Sequence, residues 1–381
     1  VIESAGAARE RLKDLAGLQP SRGMFLTAVL STSRLDDWRQ LSPTFINSEF
    51  GRITKERSFS KEERRELQGS LDFVLDTLKY DVTPGTQGLV VFAGGGDGLH
   101  EKMELPMRLM NRLAVGPSPY VRPLVHALSM LEPFVVARVS RDESALFLVD
   151  EWRVASEDDL TGPWLRSSDK ETGEVSIKEY YAAARQDTLV EQHYKEVATA
   201  LARLLDSSGS RRVVLCAQHD IASGFRRALP QAVAARVAVE IPFAAAATTA
   251  QMLVTAREAV EKARNNEIED LARWVQDALA TGGRGVAGFD EVLGALRRHQ
   301  VQTLLVDRMH IVPGWRCRSC DWVGLAEPTR CPVCDEPTVP VADAVGEVVR
   351  LAVLQNGQVD VGEDIPTLTT LGGLAGVLRY S

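Results

Sequence analysis

Four cysteines, Cys317, Cys320, Cys331 and Cys334, form two Cys-x-x-Cys pairs with ten residues between them. Thiolates at this spacing satisfy tetrahedral zinc, and a site closed by four sulfurs keeps no position for water. The chemistry expected is therefore structural zinc and not zinc catalysis. A redox Cys-x-x-Cys is the competing reading, but two matched pairs in one polar insertion favour a metal. Zinc binding at such a site is worth on the order of 10–16 kcal/mol in apparent free energy. That is enough to order an insertion with few apolar residues of its own, and Trp315 and Trp322 stand where they can pack around it. The fifth cysteine, Cys216, lies in an apolar run and reads as a small buried hydrophobe, not a nucleophile.

Other chemical-looking residues have simpler readings. Gly94-Gly95-Gly96-Asp97-Gly98 follows a strand pattern, but no Gly-Lys-Ser/Thr follows it and Pro106 interrupts the next potential helix, so a turn explains the run. Gln218-His219-Asp220 ends an apolar strand without a nucleophile or second metal motif to complete a mechanism, and solvated loop residues are expected. His193 falls on an apolar helix face as a satisfied core histidine, and His126, His299 and His310 show no ligand spacing. Arg52, Lys55 and Arg57 could reach phosphates, although Glu56 and the acids that follow break any uniform basic patch.

The elements that must position these residues alternate between strand and helix. Strand-like runs cover 23–30, 88–93, 134–139, 145–149, 211–217, 301–306 and 358–361, with 134–139 and 145–149 reading as a hairpin. Helices are expected from Ser60, with Leu67, Leu71, Val74, Leu75 and Leu78 on one face, and around 189–205, 221–229, 257–280, 289–298 and 344–355. A polar, glycine-containing stretch runs from Asp158 to Lys178. The alternation predicts an α/β chain with largely buried sheets under helical cover.

Length and composition set the outer bounds. At roughly 100–200 residues per domain, 381 residues make two to four domains. Hydrophobic and charged fractions of 45% and 25% exclude wholesale disorder. A net charge of −8 disfavours nonspecific coating of nucleic acid while leaving room for local basic patches. Five cysteines are too few for a disulfide framework. The longest apolar stretch, 242–254, falls short of the ~20 residues of a membrane span, and no secretory signal opens the chain, so a cytoplasmic location is expected.

The segment Gly288-Phe289-Asp290-Glu291-Val292-Leu293-Gly294-Ala295-Leu296, followed by Val301–Val306, resembles the third domain of archaeal and eukaryotic class 1 peptide-chain release factors and Pelota. The closing Gly372–Tyr380 strengthens the likeness, and archaeal members carry a four-cysteine zinc ribbon in this same domain. Weaker resemblance extends to 45–53 and to the strand and glycine turn at 90–96. Taken together, the chain looks most like the bacterial archaeo-eukaryotic release-factor group, which includes Balon-like hibernation factors.

The resemblance implies three mixed α/β domains in a tRNA-mimicking arrangement. They comprise a decoding-centre-like domain at 1–122, a central domain at 123–244, and a C-terminal domain at 245–381 with the zinc ribbon at 315–337. The ribosome and ribosomal RNA are the implied partners, with a translational GTPase such as elongation factor Tu beside the last domain. The Gly-Gly-Gln tripeptide that positions water for ester hydrolysis is absent; the corresponding loop is 167–175, where Lys170 is the phosphate-contacting candidate. The stop-codon-reading Asn-Ile-Lys-Ser is also absent, with Arg52-Ile53-Thr54-Lys55 in its place. The expectation is thus a non-catalytic factor that occupies the A site in ribosome hibernation or stalled-ribosome rescue. A peptidyl-tRNA-hydrolysing release factor and an off-ribosome RNA-binding adaptor are the alternatives.

Overall fold

Seven consecutive buried residues, Phe25–Ser31, form strand β1 in the interior of the first sheet. A strand covered on both faces needs no polar alternation, which is why this run reads as continuously apolar. The computed structural model describes residues 5–20, 23–33, 37–96, 98–150, 153–161, 178–242 and 248–380. They divide into two compact units, Val1–Met130 with Glu267–Ser381, and Leu131–Asn266. Packing therefore groups the first and last of the three segments expected from sequence, and the helix Arg122–Met130 goes with them.

In the first unit, β1 pairs antiparallel with β2 (Gly88–Gly94) and with β4 (Arg112–Gly116), and β3 (Leu99–Leu105) joins the outer side of β2. The helices Trp38–Glu56 and Lys61–Tyr80 supply the core over Leu26, Ala28 and Leu30, with Leu67, Leu71, Val74 and Leu78 buried at the anticipated spacing. Ser60 starts the second helix through a capping box: its hydroxyl accepts from the Glu63 amide and the Glu63 carboxylate accepts from the Ser60 amide. The glycine run closes the β2–β3 hairpin. Gly95 has φ +81°, and a Cβ there would lie 2.3 Å from the Phe25 ring. A strand follows the turn, so the strand-to-helix setting of a phosphate loop is missing here.

In the second unit, β5 (Phe134–Arg138) pairs antiparallel with β6 (Glu143–Asp150), which pairs with β7 (Arg153–Thr161). Strands β8 (Arg212–Cys216) and β9 (Val237–Ile241) extend the sheet in parallel on the other side of β5. Val135 and Ala137 pack under Val197, Leu201, Leu205 and Phe225, while Phe134 and Val136 face Met252, Leu253 and Ala256. The polar stretch expected from Asp158 thus begins inside β7. As an edge strand β7 leaves most of its side chains in water, so it shows neither alternation nor apolar enrichment and its acids guard the edge.

The helix Thr249–Thr281 begins earlier than its charged pattern predicts. Thr248 and Gln251 form the entry: the Thr248 amide donates to Gln251 Oε1 at 3.0 Å and the Gln251 amide to Thr248 Oγ1 at 3.3 Å. This is the reciprocal capping pattern of Thr-x-x-Gln, readable in the sequence but masked by the alanine run before it. Its later turns belong to the first unit, where Ile268, Ala272 and Val275 pack on a second sheet. That sheet contains β10 (Gly285–Ala287), β11 (Val301–Asp307), β15 (Gln358–Gly362) and β16 (Leu374–Leu378) in the order β10-β16-β11-β15. Between β11 and β15 lie the helix Ala344–Leu354 and a small sheet of β12 (Gly314–Cys317), β13 (Val323–Gly324) and β14 (Thr338–Val341), in the order β13-β12-β14. No helix among the described residues is long and apolar enough to cross a membrane.

Two outcomes follow from this packing. Ser60→Ala removes one reciprocal cap and costs about 1 kcal/mol in a denaturant titration. Glu104 is more informative. Burial alone raises its pKa, but hydrogen bonds from Thr83, Lys102 and Thr86 outweigh it and hold the carboxyl down at about 2. A depressed folded-state pKa stabilises the fold above the unfolded value and loses that contribution as pH falls toward the folded one. The chain accordingly loses stability from about pH 4.5 to 2, and Glu104→Gln flattens that part of the pH–stability curve.

Candidate functional site

The small sheet positions the cysteines. Strand β12 ends at Cys317 and turns into Cys320; the segment after β13 carries Cys331 and Cys334 back toward it. All four sulfurs lie within 4.8 Å of one another. Cys317 and Cys334 are 3.4 Å apart, and Cys320 is 3.6 Å from both Cys331 and Cys334. A zinc ion bonded to four sulfurs at ~2.3 Å sets ligand separations of about 3.8 Å, so the donor set fits that metal in number, element and spacing.

Backbone amides also point at the sulfurs. The Ser319 amide donates to Cys317 Sγ at 3.3 Å and the Val333 amide to Cys331 Sγ at 3.4 Å, contacts that favour thiolate over thiol. At Cys331 burial raises the pKa, but the amides of Val333 and Cys334 and the neighbouring sulfurs prevail and bring it to about 7. Burial and its sulfur neighbours push Cys320 the other way, to about 12. Thiolates this close repel one another until a cation joins them. Trp322 lies beside the cluster: its carbonyl accepts from the Cys317 amide, and its ring packs on Gly324, where a Cβ would come within 2.6 Å of it.

A network of buried charge backs the cysteine sheet, and none of it was anticipated from sequence. Arg316 and Arg350 are each 2% exposed. Asp321, the residue after Cys320, bonds Arg350 and sits 3.5 Å from Arg316. Glu347 accepts from Arg350 Nε at 2.9 Å, lies 3.2 Å from Arg316 Nη1, and accepts from the Ser118 hydroxyl at 3.0 Å. Beside it, Asp343 accepts from Arg122 and from the Tyr120 hydroxyl, both at 2.7 Å, and Arg122 also donates to the carbonyls of Asp307, Arg308 and His310. Gly346 permits this approach, since a Cβ there would meet the Tyr120 ring at 2.6 Å. A signal was available: Glu347 and Arg350 stand three apart on an otherwise apolar helix, and Arg316 and Asp321 flank the first cysteine pair.

The phosphate-contacting candidates separate in space. Arg52 and Lys55 lie on the last turns of the helix Trp38–Glu56, and both are exposed. Arg52 is paired with Glu49 at 2.7 Å and Glu56 at 2.6 Å, whereas Lys55 forms no ion pair among the described residues. Arg57 turns inward. Its guanidinium donates to the Val115 carbonyl at 2.7 Å and stacks over Phe59, and burial together with the nearby Arg318 lowers its pKa to about 10. That side chain holds the helix end against β4 instead of reaching outward, because its aliphatic stem and ring contact bury apolar surface. Lys170 and the loop 167–175 lie outside the described residues.

The simpler readings hold elsewhere. His193 Nε2 meets the buried Ser144 hydroxyl at 2.9 Å. Cys216 is buried in β8, which pushes its thiol up to about 11 and leaves it inert at neutral pH. The loop expected at Gln218–Asp220 is instead the start of the helix His219–Ala228, where Asp220 makes an exposed pair with Arg141.

Residues 119–261 match the family described as bacterial archaeo-eukaryotic release factor family 10. No curated protein matches the chain. Among solved structures, it is similar to the archaeal translation termination factor aRF1 at 20% identity, covering 99% of this chain and 98% of that one with a TM-score of 0.27. An archaeal Pelota, solved bound to the ribosome with ABCE1, matches at 14% identity over 98% and 94% of the two chains, TM-score 0.39. Dom34 of S. cerevisiae, described as a translation termination-like factor interacting with Hbs1, matches at 11% over 74% and 75%, TM-score 0.41. The segment 119–261 is thus what this chain shares with bacterial archaeo-eukaryotic release factor family 10.

Proposed function

We propose that this protein is a ribosome-binding translation factor that occupies the A site of idle or stalled ribosomes without cleaving peptidyl-tRNA. The match of its middle segment to a release factor family carries the reading. The lack of Gly-Gly-Gln anywhere in the 381 residues removes the water-positioning group that ester hydrolysis requires, which favours occupancy over chemistry. Structured RNA is recognised through shape, phosphates and 2′-hydroxyls, so an acidic chain can bind it where cations are localised. On the helix Trp38–Glu56 Lys55 is exposed and forms no ion pair among the described residues, Arg52 is released to phosphate once it exchanges its two carboxylate partners, and Lys170 is the candidate on the central loop. Three functional segments, 1–122, 123–244 and 245–381, would serve the decoding centre, the peptidyl-transferase centre and a translational GTPase respectively.

The four cysteines hold a structural zinc in this reading, and the metal's part is to fix the fold of the ribbon 315–337. Purified protein carries about one zinc per chain. Cys317→Ser or Cys331→Ser abolishes that stoichiometry and lowers the melting temperature, since apparent metal binding energies of about 10–16 kcal/mol are forfeited. Full folding with all four cysteines replaced would remove the metal from the account.

Ribosome association is the direct test. The protein co-sediments with ribosomes from growing or starved cells, and Lys55→Ala weakens binding by about 1.5 kcal/mol, roughly tenfold, as expected for one charge-assisted contact. Absence from ribosomal fractions in both conditions would overturn the proposal. Release of labelled peptide from stalled ribosomes would convert the factor into a hydrolase.

A further inference from the structure

We propose that the metal-held cysteine sheet is a clasp that fastens the N-terminal segment of the chain to its C-terminal segment, so that metal occupancy controls their docking. This rests on the zinc reading above. Two sets of contacts carry it, one ionic and one apolar.

The ionic set starts at the metal ligands. Asp321 follows Cys320 directly, and its carboxylate is half exposed, at 47%, although it neutralises Arg350 and Arg316 at 2% each. Arg350 continues into the N-terminal segment by donating to the Ala16 carbonyl at 3.1 Å, at the end of the helix Ala5–Gly17. Glu347, held by Arg350, accepts from Ser118 of the same segment. Arg318, between the two ligands of the first pair, reaches Glu63 on the helix Lys61–Tyr80 at 2.9 Å. The apolar set is Val339 of β14, which is buried in the N-terminal core with Leu113 and Val115 of β4.

The metal matters because little else fixes Asp321. Strand β13 is two residues long, and most of 318–337 is exposed, with Val323 and Cys331 as its buried apolar residues. An insertion with so small a core cannot hold a loop carboxylate in place against its ordering entropy. The Cys320 ligand bond does. Once the metal leaves, Arg350 and Arg316 keep only one carboxylate, Glu347, between them, and a buried guanidinium that loses its counter-charge is strongly destabilising. Arg316 Nε has no hydrogen-bond partner and Nη1 meets Glu347 only as an ion pair at 3.2 Å, so Arg316 has little reserve. The least costly relief is to open the docking face and let water reach both arginines, which separates Ala16 and Ser118 from the helix Ala344–Leu354.

Hydrogen exchange on the full chain tests this, with zinc content measured in the same samples. Removing zinc with a chelator speeds amide exchange by at least about tenfold in the helix Ala5–Gly17 and around Glu63 as well as in 314–341, while 187–241 stays unchanged. Asp321→Asn retains its zinc and still accelerates exchange in Ala5–Gly17. Acceleration confined to 314–341, or a zinc-loaded Asp321→Asn protein that exchanges like the parent, overturns the clasp and leaves the zinc reading standing. A chain that binds no zinc overturns both.

Discussion

Buried positive charge is the constraint around which the first unit is organised. Arg122, Arg316 and Arg350 lie almost out of contact with solvent, where an unpaired guanidinium costs several kcal/mol. Each is answered by a carboxylate from another stretch of chain: Asp343 for Arg122, Asp321 and Glu347 for the other two. These pairs are poor sources of net stability, because desolvation consumes most of the Coulomb attraction. What they supply is specificity of docking. A slip of the helix Ala344–Leu354 would strand its charges in an apolar interior, so the network admits one arrangement of the segments it joins.

The cysteine sheet fits into the same logic. Its three short strands have too small an apolar core to persist alone, and four sulfurs within 4.8 Å supply the missing cohesion once a cation joins them. The sheet then returns the contribution through Asp321 and Val339. Cysteine cluster and charge network are contiguous, because Asp321 follows Cys320 directly and pairs with Arg350 and Arg316.

The second unit is built on a different principle. Its sheet is buried on both faces through β5 and β8, and helices supply the two cores. Cys216 and His193 are buried parts of that packing.

The sequence by itself determined the local elements. Strands covered on both faces announced themselves as apolar runs at 23–30 and 134–139, the helix Lys61–Tyr80 through its leucine spacing and its polar start at Ser60–Glu63, and the cysteine cluster through the spacing of its two pairs. Each of these signals lies within one contiguous stretch, where period and spacing are physical. The edge strand β7 escaped because water on its exposed side erases alternation, and the start of Thr249–Thr281 because alanine carries no periodic signal. Only the tertiary structure decided that Arg57 turns inward while Lys55 faces water, since helix position alone does not say which neighbour will cover a side chain. It also decided that Asp321, Glu347, Arg350 and Ser118 meet. Those residues are separated by up to 232 positions along the chain, and a pairing between buried charges is fixed by which faces dock, which no local pattern encodes.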